Sequence, residues 1–196
     1  KTWAGYYGNV SGTLVLSNAA NKTMYTWNLD NPGGKVFASE TTVSDWTDLH
    51  CWNWTDDTNG VRFQEFNAAF NISTDDVDAV NRTFNNTYQF TNFTVVHKAF
   101  NGSDSDGLCP AVPLYNESLS ADPSSGQFEE IILTPLHWTS GTDIDPDDLI
   151  YVALIERNAI GFINSSVDFQ MIVPNDQHGT RTATTAYYFY VELEAS

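Results

Sequence analysis

Two-residue alternation of apolar and polar side chains is the pattern that most constrains this chain, because it suits a half-buried strand and not a helix. Val167, Phe169, Met171 and Val173 alternate with Asp168 and Gln170. The closing segment repeats the pattern, with Tyr187, Phe189, Val191 and Leu193 set against Tyr188, Tyr190 and Glu192. Met24 to Leu29 places Tyr25, Trp27 and Leu29 on one face. Further strands are expected at Thr13 to Leu16, after Gly12, and at Lys35 to Ser39, after the turn Asn31-Pro32-Gly33-Gly34. Phe90 to Phe100, Gln127 to Leu133 and Leu149 to Glu156 complete the set. Helical periodicity is scarce. The one helical turn expected is Ser73 to Asn81, where Ser73 or Thr74 caps and Asp75, Asp76 and Asp78 suit the positive end of the helix dipole. These segments predict an all-β fold: a single β-sandwich domain over residues 1–196, jelly-roll or immunoglobulin-like, with at most one short helix.

The chain is long enough for one sizeable core, and its aromatic share of 14% is far too rich for a disordered tail. With 25 Asp and Glu against 8 Lys and Arg, the net charge is −17. Such a surface repels phosphate backbones, so nucleic acid and anionic membranes are poor candidate partners and cations better ones, with plain solubility of a surface protein as the competing reading of the acid. No apolar run is long enough to span a bilayer. The opening Lys1-Thr2-Trp3 reads as a processed chain, with a removed leader or a trimmed membrane-anchored stalk both left open.

Asn-x-Ser/Thr triplets begin at Asn9, Asn21, Asn53, Asn71, Asn81, Asn85, Asn92, Asn101, Asn116 and Asn164, which is ten of the eighteen asparagines. With 36 Ser and Thr in 196 residues, chance alone gives about three or four on the acceptor rule. Turn chemistry also crowds Asn with Ser and Thr, but Asn92 lies within an alternating segment, Gln89 to Val95. The excess predicts an exported chain carrying covalent N-glycans on exposed faces. Cys51 and Cys109 fit the same compartment; their neighbours show no metal-binding spacing, and one disulfide is expected. Closing a loop of nearly sixty residues, it would stabilise by about 3 to 5 kcal/mol.

Catalytic motifs are missing from the sequence. His50, His97, His137 and His178 lie without metal-site spacing, and no nucleophile elbow, phosphate loop or zincin motif occurs. The carboxylate pairs Glu129-Glu130 and Asp147-Asp148 would suffice for glycoside hydrolysis only if a cleft brought two acids together. The chain is therefore expected not to be an enzyme and to need no cofactor other than, at most, calcium. Two acidic loops, one with Asp104 and Asp106 and one with Asp143, Asp145 and Asp147, space oxygen ligands at alternate positions and are the candidate calcium sites. Neither completes an EF-hand, and a plain solvated turn is the competing reading of each. The stretch Asn101 to Gly126, rich in Gly, Ser, Asp and Pro, is the loosest part of the chain.

Large rings crowd both ends, Trp3-Ala4-Gly5-Tyr6-Tyr7-Gly8 and Ala186-Tyr187-Tyr188-Phe189-Tyr190. A terminal strand with aromatics on both faces has more to bury than an edge normally offers, so the segment 1–16 is either an ordinary paired strand or a strand donated to a neighbouring copy. The segments Gly5 to Gly12, Met24-Tyr25-Thr26-Trp27, Gly34 to Ser39 and Thr184 to Leu193, about a seventh of the chain, resemble archaeal secreted cell-surface glycoproteins of the extracellular filament (pilus or thread) and S-layer type. That resemblance implies acidic, densely glycosylated β-sandwich subunits at the cell surface. Members built on type IV pilins carry a long apolar N-terminal helix; unless one has been removed, its absence from this sequence moves the expected assembly toward donor-strand complementation. The implied function is a structural subunit that polymerises with itself through strand contacts. The alternative is a monomeric carbohydrate-binding or adhesive domain that presents Trp or Tyr to sugars.

Overall fold

The computed structural model describes residues 3–28, 33–43, 46, 49–52, 61–70, 72–73, 75–79, 94–96, 108–114, 128–134, 148–156, 159–161, 164–175 and 185–194. Over these the chain is all-β with one short helix, and every strand pair is antiparallel.

The centre is a seven-stranded sheet. Its middle strands are β4 (Gly33–Ser39), β8 (Glu129–Thr134) and β9 (Ile150–Leu154), and β13 (Tyr188–Glu194) forms one edge beside β4. On the far side of β8 the order continues through β7 (Leu108–Pro113) to β6 (Thr94–Val96), while the two-residue β5 (His50–Cys51) also pairs with β8. Both faces of the middle strands are buried. Val36, Ala38, Ile132, Tyr151 and Ala153 line one face, and Phe37, Ile131, Leu133, Ile150 and Val152 line the other. Burial on two sides explains why Ile131-Ile132-Leu133 and Ile150-Tyr151-Val152-Ala153 read as continuous apolar runs rather than alternating ones.

Over the first face lies a ribbon of β1 (Trp3–Gly8) and β12 (Phe169–Pro174), in register from Trp3↔Pro174 to Gly8↔Phe169. β12 sends Met171 and Val173 into the core and leans on β8 and β9. In this structure β1 is therefore paired within its own chain and is pinned at both ends. At its start the Trp3 indole donates to the Asp78 carbonyl at 2.8 Å and its ring stacks on Phe66 at 5.9 Å. Just beyond its end, Val10 N–H donates to Asp168 Oδ2 at 2.8 Å.

The helix is α1 (Val61–Ala69), not the expected turn. It packs Phe66 into the core, with Trp52 edge-on at 6.3 Å and Phe70 at 4.8 Å. Phe63, Phe66 and Phe70 recur at i, i+3 and i+7, the one sequence signal that points to it. Ser73 to Ala79 instead forms two successive turns, Asp76 N–H to Ser73 O at 3.0 Å and Ala79 N–H to Asp76 O at 3.1 Å. The Asp76 carboxylate reaches back to accept from Ser73 N–H at 2.9 Å, so the capping acid is satisfied locally.

Two small hairpins complete the description. β10 (Ala159–Ile160) and β11 (Ser166–Val167) close tightly around Asn164, whose φ is 56°. β2 (Thr13–Ser17) and β3 (Thr23–Asn28) pair only with each other, joined by a loop in which Asn18 Oδ1 accepts from Ala20 and Lys22 N–H and Asn21 sits at φ 58°.

The Pro-Gly-Gly turn also departs from expectation, for Gly33 and Gly34 already belong to β4. Gly34 has φ 130° and pairs with Leu193, where any Cβ would collide with the Glu192 carbonyl oxygen. Only glycine fits.

Candidate functional site

Two places concentrate chemistry among the described residues, one buried and one open. The buried one lies between the ribbon and the central sheet. Glu130 projects from β8 into the core and is 1% exposed; its Oε2 accepts Ile172 N–H from β12 at 2.7 Å, while Oε1 is buried without a hydrogen-bond partner. Burial pushes its carboxyl well above the usual range, and the Ile172 hydrogen bond opposes this only in part. Tyr151, its neighbour across the sheet, is also fully buried with an unpartnered hydroxyl. Its ionisation is pushed up first by burial, then by Tyr187, Glu40 and Glu130.

The Tyr187 hydroxyl, between the Pro174 carbonyl and Glu40 Oε1 at 3.0 Å, is likewise pushed well up by burial and by Glu40. This cluster ties β12 to the sheet and β13 to the loop after β4. Its two carboxylates are Glu130 and Glu40, while Glu129, the other half of the Glu-Glu pair, is the preceding residue of β8.

The open place is the rim where β1 passes beside β13. The alternation expected for the last strand is present: Phe189 and Val191 pair with Ala38 and Val36, which face the ribbon. Yet Phe189 is 44% and Val191 54% exposed, since the ribbon covers β8 and β9 but not the edge strand. Tyr6 of β1 partly bridges the gap, edge-on to Phe189 at 5.0 Å and tilted toward Tyr187 at 6.4 Å. Tyr7 and Tyr188 are exposed nearby in sequence on the same two strands. On the opposite face Tyr190 is better covered: Trp46 packs edge-on to it at 5.1 Å, and its hydroxyl accepts Val43 N–H at 3.2 Å. The outer edge of β13 pairs with no other strand among the described residues.

Of the ten glycosylation acceptors, Asn9, Asn21 and Asn164 are described, and all three are exposed. Asn21 and Asn164 sit at loop positions of left-handed backbone, a conformation asparagine tolerates well. Asn53, Asn71, Asn81, Asn85, Asn92, Asn101 and Asn116 lie outside the described residues. So do the calcium candidates Asp104, Asp106, Asp143, Asp145 and Asp147, together with His97, His137 and His178.

The cysteines are placed by their backbone alone. Cys51 pairs with Leu133, and extending the β7–β8 register from Ala111↔Ile131 by two residues brings Cys109 level with that same Leu133. β5 and β7 touch along this edge. Among the described residues no helix is long and apolar enough to cross a membrane. No protein-family model, curated protein or solved structure matches the chain.

Proposed function

We propose that this chain is a non-enzymatic structural subunit of an archaeal extracellular filament or surface layer, glycosylated and assembled with copies of itself through strand contacts. The observation that carries the reading is the rim: an edge strand whose outer side pairs with no other strand among the described residues, flanked by Tyr6, Tyr7, Tyr188, Phe189 and Val191 in the open. Uncovered rings beside unsatisfied ladder positions attract another strand, and a monomer normally blunts such an edge with charge or proline. Here the strand opens Tyr188-Phe189-Tyr190-Val191, and its acids come only at Glu192 and Glu194. The sequon density and the resemblance in the end segments support the extracellular half of the reading.

On this reading Cys51 and Cys109 form a disulfide that fastens β5 to β7 along β8, where the backbone registers bring them level. Glycans on Asn9, Asn21 and Asn164 project into solvent from loops and strand ends. The rim also suits a second function, because exposed tyrosines are platforms on which sugar rings stack. Electron microscopy of protein from its native host separates the two. Long polymers or sheets support the structural subunit, whereas dispersed monomers that bind glycans support the adhesive domain.

A further inference from the structure

The hairpin of β2 and β3 pairs with no other strand among the described residues. Every residue from Ser11 to Asn28 whose side chain is described is exposed. An isolated two-stranded hairpin is only marginally stable in water, and one that shows apolar side chains to solvent gains little from its own fold. Leu16 and Tyr25 are cross-strand partners, 60% and 62% exposed. The hairpin thus shows apolar side chains to solvent in both of its strands, with Val15 and Met24 exposed as well.

Charge sets the same segment apart. Residues 1–28 contain no Asp or Glu and two lysines, Lys1 and Lys22. All 25 acids fall in the remaining 168 residues, against six Lys or Arg, which leaves that part at −19 and the first 28 residues at +2. Two copies of so acidic a body repel each other. The hairpin is the part of the surface that can approach a second copy without adding to that repulsion, with Lys22 in its loop.

From the exposed apolar pair and this charge segregation we infer that the β2–β3 hairpin is the arm by which one copy docks on a second copy, running a strand along the outer edge of β13 so that its Leu16 and Tyr25 face continues the Phe189 and Val191 face. The inference rests on the filament reading above and names its contact. Donor and acceptor are different patches of one chain, so the contact is head to tail and propagates instead of closing as a symmetric dimer. A hairpin strand running along β13 satisfies the open ladder edge, and β3, with six residues, is close in length to the seven of β13. The acceptor Asn21 lies in the hairpin loop, so a sugar there leaves the strand faces clear.

The test uses the full-length chain from a glycosylating host, followed by sedimentation velocity over a concentration series and by negative-stain microscopy. The wild type is expected to form polymers. The double variant L16D/Y25D is expected to sediment as a monomer at concentrations about tenfold or more above those at which the wild type assembles, since two desolvated charges are set into the contact. Both hairpin positions are exposed, so its melting temperature and near-ultraviolet circular dichroism should match the wild type.

An acceptor variant, V191D, mixed with L16D/Y25D should give dimers that grow no further, because each copy keeps one working half. If L16D/Y25D polymerises like the wild type, the hairpin is not the arm and the filament reading stands. A wild type that is monomeric at every concentration overturns both. A monomeric wild type that sediments with phosphatidylcholine vesicles, and loses this in L16D/Y25D, overturns the inference in favour of a lipid surface.

Discussion

The central strands and the β2–β3 hairpin are built from the same alphabet of Leu, Val, Tyr and Thr, and they meet opposite fates. In β4, β8 and β9 each side chain has a layer above or below it, so Val36 to Ala38, Glu130 to Thr134 and Ile150 to Ala153 are all buried. In the hairpin every described side chain is exposed, and no layer of described residues covers either face. Strand pairing alone does not bury a side chain; the second layer does. A strand that pairs without gaining that layer keeps its apolar surface available for another molecule.

The comparison breaks first under truncation. Tyr151→Ala should cost about 3 to 5 kcal/mol in chemical denaturation, as for large side chains removed from a packed core. Leu16→Ala should cost no more than about 0.5 kcal/mol in the dispersed chain. Equal losses at the two positions would mean that the hairpin is packed after all.

Backbone demand gives the next contrast. Gly34→Ala forces a side chain into φ 130° and onto the Glu192 carbonyl, and should lower stability by about 2 kcal/mol or more. The loss should appear as reduced protection of the β13 amides in hydrogen exchange. Gly12→Ala is strained too, at φ 155°, but meets no neighbouring atom and should cost less.

The buried acid sharpens the comparison through pH. Glu130 has its folded-state pKa raised by burial, so above the unfolded carboxylate range the folded chain retains a proton that the unfolded chain has lost. Stability from this group therefore falls as pH rises, until the folded pKa is passed. Glu130→Gln keeps the shape and removes the titration, so its melting temperature should be near the wild type at pH 4 and increasingly above it toward pH 8. A constant offset across that range would contradict the assignment. The smallest effect expected is at the hairpin loop, where Asn21→Gly relieves a left-handed backbone and should raise stability by a few tenths of a kcal/mol.

The alternating strands were legible because one face of each meets a core. Val167, Met171 and Val173 are buried as their spacing implies, and Phe189 and Val191 keep the predicted parity even though the ribbon stops short of them. What could not be read is pairing over distance. β1 with β12 and β4 with β13 join segments about 150 residues apart, and nothing local in Trp3 to Gly8 specifies Phe169 to Pro174 as its partner. The helix around Phe66 was missed because its sequence signal is only Phe63, Phe66 and Phe70, spaced over about two turns. The buried carboxyl of Glu130 was hidden for another reason: as one of a Glu-Glu pair it reads as a solvated charge, and only the layer formed by β12 makes it a core residue.

Hydrogen exchange on dispersed and assembled protein tests the whole account most directly. Amides of β4, β8 and β9 should be protected in both states, while those of Thr13–Ser17, Thr23–Asn28 and the outer edge of β13 should exchange fast when dispersed and become protected on assembly. Protection of the hairpin already in the dispersed chain, or no change at either segment on assembly, would contradict it.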